Sequence, residues 1–209
     1  MSNLRFSVEG AEPVSYAASP LLGFLLRISN DDPVRNIVLQ VQIRIEPVQR
    51  RYTPAEQAKL YELFGEPSHW GRSVRSMLWT NLTTVVKPFT GSTTTELHVP
   101  CSFDFNVGVT KYFHGLEGGE IPLTFLFSGS VFYTDANGAL QLMQVSWESE
   151  ARYRLPLDAW KRMMDLHYPN AAWLCVRRDL FDRLLEFKRE RAIPTWEQTL
   201  EQVLDGARA

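Results

Sequence analysis

The side chains that could ligate a metal or attack an electrophile are few: His69, His98, His114, His167, Cys101 and Cys175. His98 and Cys101 are separated by two residues, a gap familiar from metal sites. The alternation around them reads as strand, however, and residues three apart on a strand point to opposite faces, so the pair cannot share an ion. No CxxC, HExxH or paired Cys/His spacing occurs elsewhere. No metal site is expected, and the histidines read as separate surface or core groups. A nucleophile elbow of the G-x-S-x-G kind is also missing. Ser128-Gly129-Ser130 falls in the middle of a strand pattern, where glycine marks a bulge or a close backbone approach. Cys101 sits in the apolar register of its strand, and buried thiols there are inert. Both cysteines are read as small buried apolar groups.

Phosphate chemistry is no better served. The loop Gly115 to Gly119 lacks the GxxxxGK[ST] spacing and does not lead from a parallel strand into a helix. Asp104 and Asn106 share a strand face, about 6–7 Å apart along it. With His114 and Glu120 they are the residues that a loop-built enzyme pocket would draw on. The bland reading of the same residues is a solvated sheet face, and Glu148 with Glu150 reads as wet surface. No catalytic residue and no cofactor is assigned.

Recognition residues are more plentiful, with six Trp and twelve Phe. Most must be core. Trp70 and Trp79 stand among His69, Arg72 and Arg75, and Trp and Arg are the types enriched where interfaces concentrate their binding energy. Trp70, Arg72, Arg75 and Trp79 are therefore the partner-binding candidates, the two tryptophans as exposed anchors. The competing reading has both tryptophans capping the strand body. Arg50-Arg51, Arg177-Arg178 and the mixed run Lys188-Arg189-Glu190-Arg191 read as helix ends and rims, not as a nucleic-acid stripe.

Several elements must position these residues. Phe24, Leu26 and Ile28 alternate with Leu25, Arg27 and Ser29, the cluster Asn30-Asp31-Asp32-Pro33 reads as a turn, and Ile37 to Ile45 alternates again up to Pro47. Thr53-Pro54-Ala55-Glu56 is a capping box with proline at the first helical position, opening a helix stopped by Gly65 and Pro67. Spacings of three and four among Trp70, Val74, Met77 and Leu78 predict a second helix over about 69–80. Leu97 to Val109 alternates strictly and predicts one strand, with Pro100 marking an edge or bulge. Leu123 to Tyr133 is apolar on both faces and predicts a central strand. Asp135-Ala136-Asn137-Gly138 predicts a hairpin turn into Leu140 to Val145, and Trp147 to Leu155 adds a strand. From Pro156 the period turns helical: Leu157 to His167, then Asp179 to Arg191, then a last helix capped by Thr195 with Gln198 and ending at Gly206.

The expected architecture is α+β. An antiparallel body of about seven or eight strands, sandwich-like or a partly closed barrel, occupies 1–50 and 82–155. It carries a helical insertion at 53–80 and a helical C-terminal third at 156–206, and the whole of 1–209 is read as one domain. A chain of 209 residues with 44% hydrophobic content is long enough to fold without a metal or disulfide staple. Its 22 Lys and Arg against 24 Asp and Glu give a net charge of −2, which argues against nucleic-acid binding. The N-terminus shows no signal-peptide pattern and no apolar run approaches a membrane span, so a cytoplasmic protein without membrane insertion is expected.

Three stretches, 52–80, 89–133 and 153–204, carry a resemblance. Their markers are Phe64-Gly65-Glu66-Pro67 with Trp70 and Leu78-Trp79-Thr80, the turn Phe89-Thr90-Gly91-Ser92-Thr93, Val99-Pro100-Cys101 with Phe103, Leu126-Phe127-Ser128-Gly129, and Pro194-Thr195-Trp196. On these the chain resembles an uncharacterised bacterial family encoded beside actinobacterial-type, high-affinity nickel–iron uptake hydrogenases. The resemblance implies a non-enzymatic accessory in assembly, maturation or scaffolding, whose partner is a hydrogenase subunit or maturation factor. Two lone cysteines cannot hold an iron–sulfur cluster, which argues against an electron carrier. An enzyme with a loop-built small-molecule pocket and a homo-oligomeric structural subunit are the alternatives.

Overall fold

Period-two alternation builds the strands that form the body of this protein. The computed structural model describes residues 4–102, 106–135, 137–171 and 174–207. They divide into two compact units, 1–170 and 171–209, where the sequence suggested a single one.

The first unit holds two antiparallel sheets. One has the order β1-β2-β5, from β1 (Arg5–Pro13), β2 (Leu21–Val34) and β5 (Phe89–Pro100). The other has the order β4-β3-β6-β7, from β3 (Asn36–Ile45), β4 (Met77–Val86), β6 (Glu120–Thr134) and β7 (Leu140–Gln144), with β8 (Glu150–Pro156) also on β6. Among the described residues the architecture is α+β, with eight strands in two antiparallel sheets and no closed barrel. β6 is central as expected. Its first half pairs with β8 and its second half with β7, while β3 runs along its other edge.

The inner faces meet through the residues the alternation marked. Leu22, Phe24, Leu26 and Ile28 of β2 and Ile37, Leu39, Val41, Ile43 and Ile45 of β3 are all buried. Phe24 crosses edge-to-face onto Phe125 of β6 at 5.3 Å, and Phe6 of β1 stacks on Phe127 at 4.2 Å. Such offset and edge contacts suit the ring quadrupole. At Gly129 the backbone has φ 132°, and a Cβ would stand 2.0 Å from the Val38 carbonyl oxygen. Only glycine permits that approach.

Three expectations need correction. Residues 30–33 do not reverse the chain: β2 runs on to Val34 after a shift in register, held by the Asn30 amide donating to the Asp32 carbonyl at 2.7 Å. The helix expected over 69–80 is the short α2 (Trp70–Ser73), and Met77 onward is β4, paired with β3 from Ile45↔Met77 to Ile37↔Val86. The β-branched residues Thr80, Thr83, Thr84, Val85 and Val86 and the open edge of β3 outweigh an apparent helical spacing of four residues. The strand expected over 97–109 ends at Pro100, and Val107–Gly115 is helix α3. Asn106 caps it, accepting from the Val109 N–H at 3.1 Å, and buries Val109, Tyr112 and Phe113 at helical spacing. Residues 103–105, including Asp104, lie outside the described residues, as does Ala136 of the hairpin turn. That turn otherwise closes as expected, with Gly138 at φ 82° and Asp135 accepting from the N–H groups of Asn137 and Ala139. Trp147 stands in the turn before β8.

The insertion helix α1 (Pro54–Phe64) has its capping box in both directions. α4 (Leu157–His167) buries Trp160, Met163 and Met164 and ends before Pro169. In the second unit, α5 (Arg178–Glu190) and α6 (Trp196–Gly206) form a hairpin. Thr195 caps α6, and Phe181 packs on Trp196 at 5.3 Å.

Candidate functional site

The site is built where the strand body meets the insertion. β3 ends at Ile45, Pro47 opens a single turn of 3-10 helix, and the chain then passes Arg50 and Tyr52 into α1. α1 stops at Gly65, whose φ of 71° suits glycine, and Pro67 starts another short turn leading into α2. These segments line an open cavity of about 510 Å3. Phe64, Trp70, Val48 and Val74 give it apolar walls; Glu46, Arg50, Tyr52, Arg75 and Ser76 supply polar groups.

The aromatic wall is fixed by edge contacts. Trp70 meets Tyr52 at 5.1 Å and Phe64 at 5.3 Å. Its indole N–H donates to the Gly65 carbonyl at 3.0 Å. The Tyr52 hydroxyl donates to the Pro47 carbonyl at 2.8 Å and accepts from the Tyr112 hydroxyl at 2.9 Å. Burial, then the neighbouring Tyr112, pushes the Tyr52 phenol far up. Burial likewise raises Tyr112, to about 12. Both hydroxyls stay protonated at neutral pH and act as fixed spacers.

Beneath this wall lies a buried ion pair. Arg50 Nη2 meets Glu56 Oε1 at 2.5 Å, with the two side chains 9% and 2% exposed. Arg50 also donates to the carbonyls of Glu120 at 2.8 Å and Gly118 at 2.6 Å. Its Nε is buried with no partner among the described residues. Burial alone would raise the Glu56 carboxyl, but the backbone N–H groups of Glu117 and Thr53 and the Arg50 guanidinium outweigh it and hold the group below its ordinary value. Glu56 therefore serves two elements at once, closing the cap of α1 and tying the 117–120 loop to Arg50.

The expected partner-binding residues divide. Trp70 and Arg75 come together on the cavity, Trp70 as a buried wall and Arg75 exposed. Arg72 is exposed on α2, and Trp79 is elsewhere. Trp79 is 3% exposed in the core, edge-on to Phe24 at 5.9 Å and Phe113 at 5.1 Å. The expectation that both tryptophans are exposed anchors is thus corrected: strand register turns Trp79 inward, and Trp70 closes the gap between α1 and the body. The reading that both cap the strand body describes them better.

The other expected residues are engaged separately. Asn106 caps α3 and donates to the Leu78 and Trp79 carbonyls at 3.2 and 3.3 Å. The His114 ring stands against Trp160 at 5.0 Å, and burial lowers its pKa. Glu120 lies 4.0 Å from Arg154. None of the three lines the cavity. Cys101 is buried, and burial pushes its thiol up to about 12. Cys175 is exposed, against the expectation that both cysteines are buried. Among the described residues no group of three or more His, Cys, Asp or Glu is arranged to hold a metal, and no helix is long and apolar enough to cross a membrane.

Glu46, Arg50 and Tyr52 were not legible as site residues. Arg50-Arg51 read as a rim, and the one available signal was the position of Arg50 just ahead of a capping box whose glutamate needs a buried partner.

No curated protein matches the sequence. Among solved structures, a CARDB domain from Pyrococcus furiosus in complex with di-metal ions is similar at 9% identity, over 74% of this chain and 87% of that one, with a TM-score of 0.29. A β-glucosidase from Kluyveromyces marxianus is similar at 9% identity, over 73% of this chain and 15% of that one, with a TM-score of 0.28. β-Glucosidase 3B from Thermotoga neapolitana, in complex with α-D-glucose, is similar at 15% identity, over 73% and 17% of the two chains, with a TM-score of 0.26. The family match is of another order, running from residue 1 to residue 209, and the chain belongs to the family of unknown function DUF6084.

Proposed function

We propose that this protein is a non-enzymatic, cytoplasmic accessory of a nickel–iron hydrogenase, binding a hydrogenase subunit or maturation factor through the face of its insertion. One structural observation carries the binding surface: the insertion builds a cavity of about 510 Å3 with an aromatic wall and places Arg75 on it, with Arg72 exposed nearby in the chain. Aromatic walls with arginine at the rim suit recognition, because rings bury large area at little entropic cost and guanidinium groups grip carboxylates. The sequence resemblance supplies the identity of the partner. The buried Trp70 holds this face in shape, so its contacts to a partner fall to Arg72, Arg75 and the cavity mouth.

The test is affinity capture on the tagged protein in cells that express the hydrogenase, comparing wild type with Arg72→Ala/Arg75→Ala. Recovery of a hydrogenase subunit or maturation factor, reduced several-fold by the double change in a folded protein, is the expected result. Recovery of no such protein under low and moderate salt contradicts the reading.

A second reading, a homo-oligomeric subunit, is favoured by a different observation. Leu140 and Leu142 of β7 are 65% and 53% exposed, and Trp147 is 87% exposed. Large apolar groups clustered in one stretch mark contact surfaces. Light scattering of wild type against Leu142→Glu/Trp147→Ser decides it: a dimer that the changes dissociate supports this reading, and a monomer at every concentration removes it.

A further inference from the structure

The cavity wall holds three formal charges, on Glu46, Arg50 and Arg75. Arg50 is matched by Glu56 at 2.5 Å. Glu46, half-buried, and Arg75, exposed, are paired neither with each other nor with any other described residue. One of each sign on the same wall makes the cavity complementary to a molecule that also carries one of each. The remaining wall is apolar, since Trp70 and Tyr52 have already committed their polar atoms to Gly65, Pro47 and Tyr112 and offer only ring surface.

We propose that this cavity binds a small zwitterion with an apolar body, of the class of an aromatic or branched α-amino acid or a dipeptide made from them. Arg75 takes the carboxylate, Glu46 takes the ammonium group, and the apolar body lies against Trp70 and Phe64. The volume falls in the range of small-molecule sites, which run from about 300 to 1,000 Å3. The argument goes beyond the hydrogenase reading and stands or falls without it.

Calorimetric titration of the full-length protein tests it with L-phenylalanine, L-leucyl-L-phenylalanine, 3-phenylpropionate, which keeps only the carboxylate, and phenethylamine, which keeps only the ammonium. At least one zwitterion should bind, and each single-charge analogue should bind about two- to fivefold more weakly, the effect of losing one solvent-accessible ion pair. Glu46→Gln should abolish the preference over 3-phenylpropionate, and Arg75→Gln the preference over phenethylamine, with circular dichroism unchanged. Equal binding of 3-phenylpropionate and the zwitterions to the wild type overturns the proposal. So does the absence of heat from both zwitterions up to about 10 mM in folded protein.

Discussion

Glu56 carries more of the candidate site than any other side chain, though it does not line the cavity. Its carboxylate accepts from Thr53 N–H at 2.9 Å and Glu117 N–H at 2.9 Å and meets Arg50 at 2.5 Å. Removing it leaves a guanidinium buried without its counter-charge, and breaking such pairs costs about 3–5 kcal/mol. Urea unfolding of Glu56→Gln at neutral pH should show a loss of that order. The pH dependence follows from the direction of the shift. The folded state holds Glu56 below its ordinary 4.5, so it favours the ionised form. That stability is fully present above 4.5 and is lost as pH falls through the lower folded value. Wild type should therefore lose stability in acid more steeply than Glu56→Gln, and parallel pH curves for the two would contradict this role. Gly129 makes a second residue-scale prediction. Alanine there meets the Val38 carbonyl and an unfavourable φ together, and Gly129→Ala should cost about 2–4 kcal/mol in the same assay. The sequence marked that glycine as a bulge or close approach. It did not reveal Arg50 as a hub, because a lone arginine gives no pattern until its acceptors at Gly118, Glu120 and Glu56 are brought to it from distant positions.

At the scale of elements, local signals were legible and competing ones were not. α1 was readable because Thr53, Pro54 and Glu56 encode its start without outside help. β3 was readable because its burial follows its own alternation, and the central β6 because it is apolar on both faces. Residues 77–80 and 107–109 were misread for opposite reasons. Four apolar residues at helical spacing suggested a helix where β3 offered an unpaired edge. Alternation running past Pro100 hid a helix whose start depends on Asn106, a capping residue that also bonds to β4. The account predicts that Asn106→Ala, which loses both the cap and the bonds to the Leu78 and Trp79 carbonyls, costs about 1–2 kcal/mol. Thr53→Ala, which loses the cap and a 3.4 Å contact of the hydroxyl to Glu117, should cost about 1 kcal/mol. Thermal or urea unfolding checks both, and an unchanged stability for Asn106→Ala would contradict its double role.

At the scale of the whole molecule, protection should follow the layering. β3 and β6 are paired on both edges and carry fully buried rows, whereas α5 has no buried residue. Hydrogen exchange should be slowest in β3 and β6 and much faster in α5. At this scale we propose that the two-sheet body presents its insertion face to a hydrogenase subunit or maturation factor. The most direct measurement places a photo-crosslinking residue at position 72 or 75 in cells expressing the hydrogenase, with position 147 as the comparison. Mass spectrometry then identifies what is caught. The account predicts covalent adducts with a hydrogenase subunit or maturation factor from positions 72 and 75, and fewer or none from 147. Adducts from 72 and 75 only with other copies of this chain, or with no hydrogenase component, would contradict it.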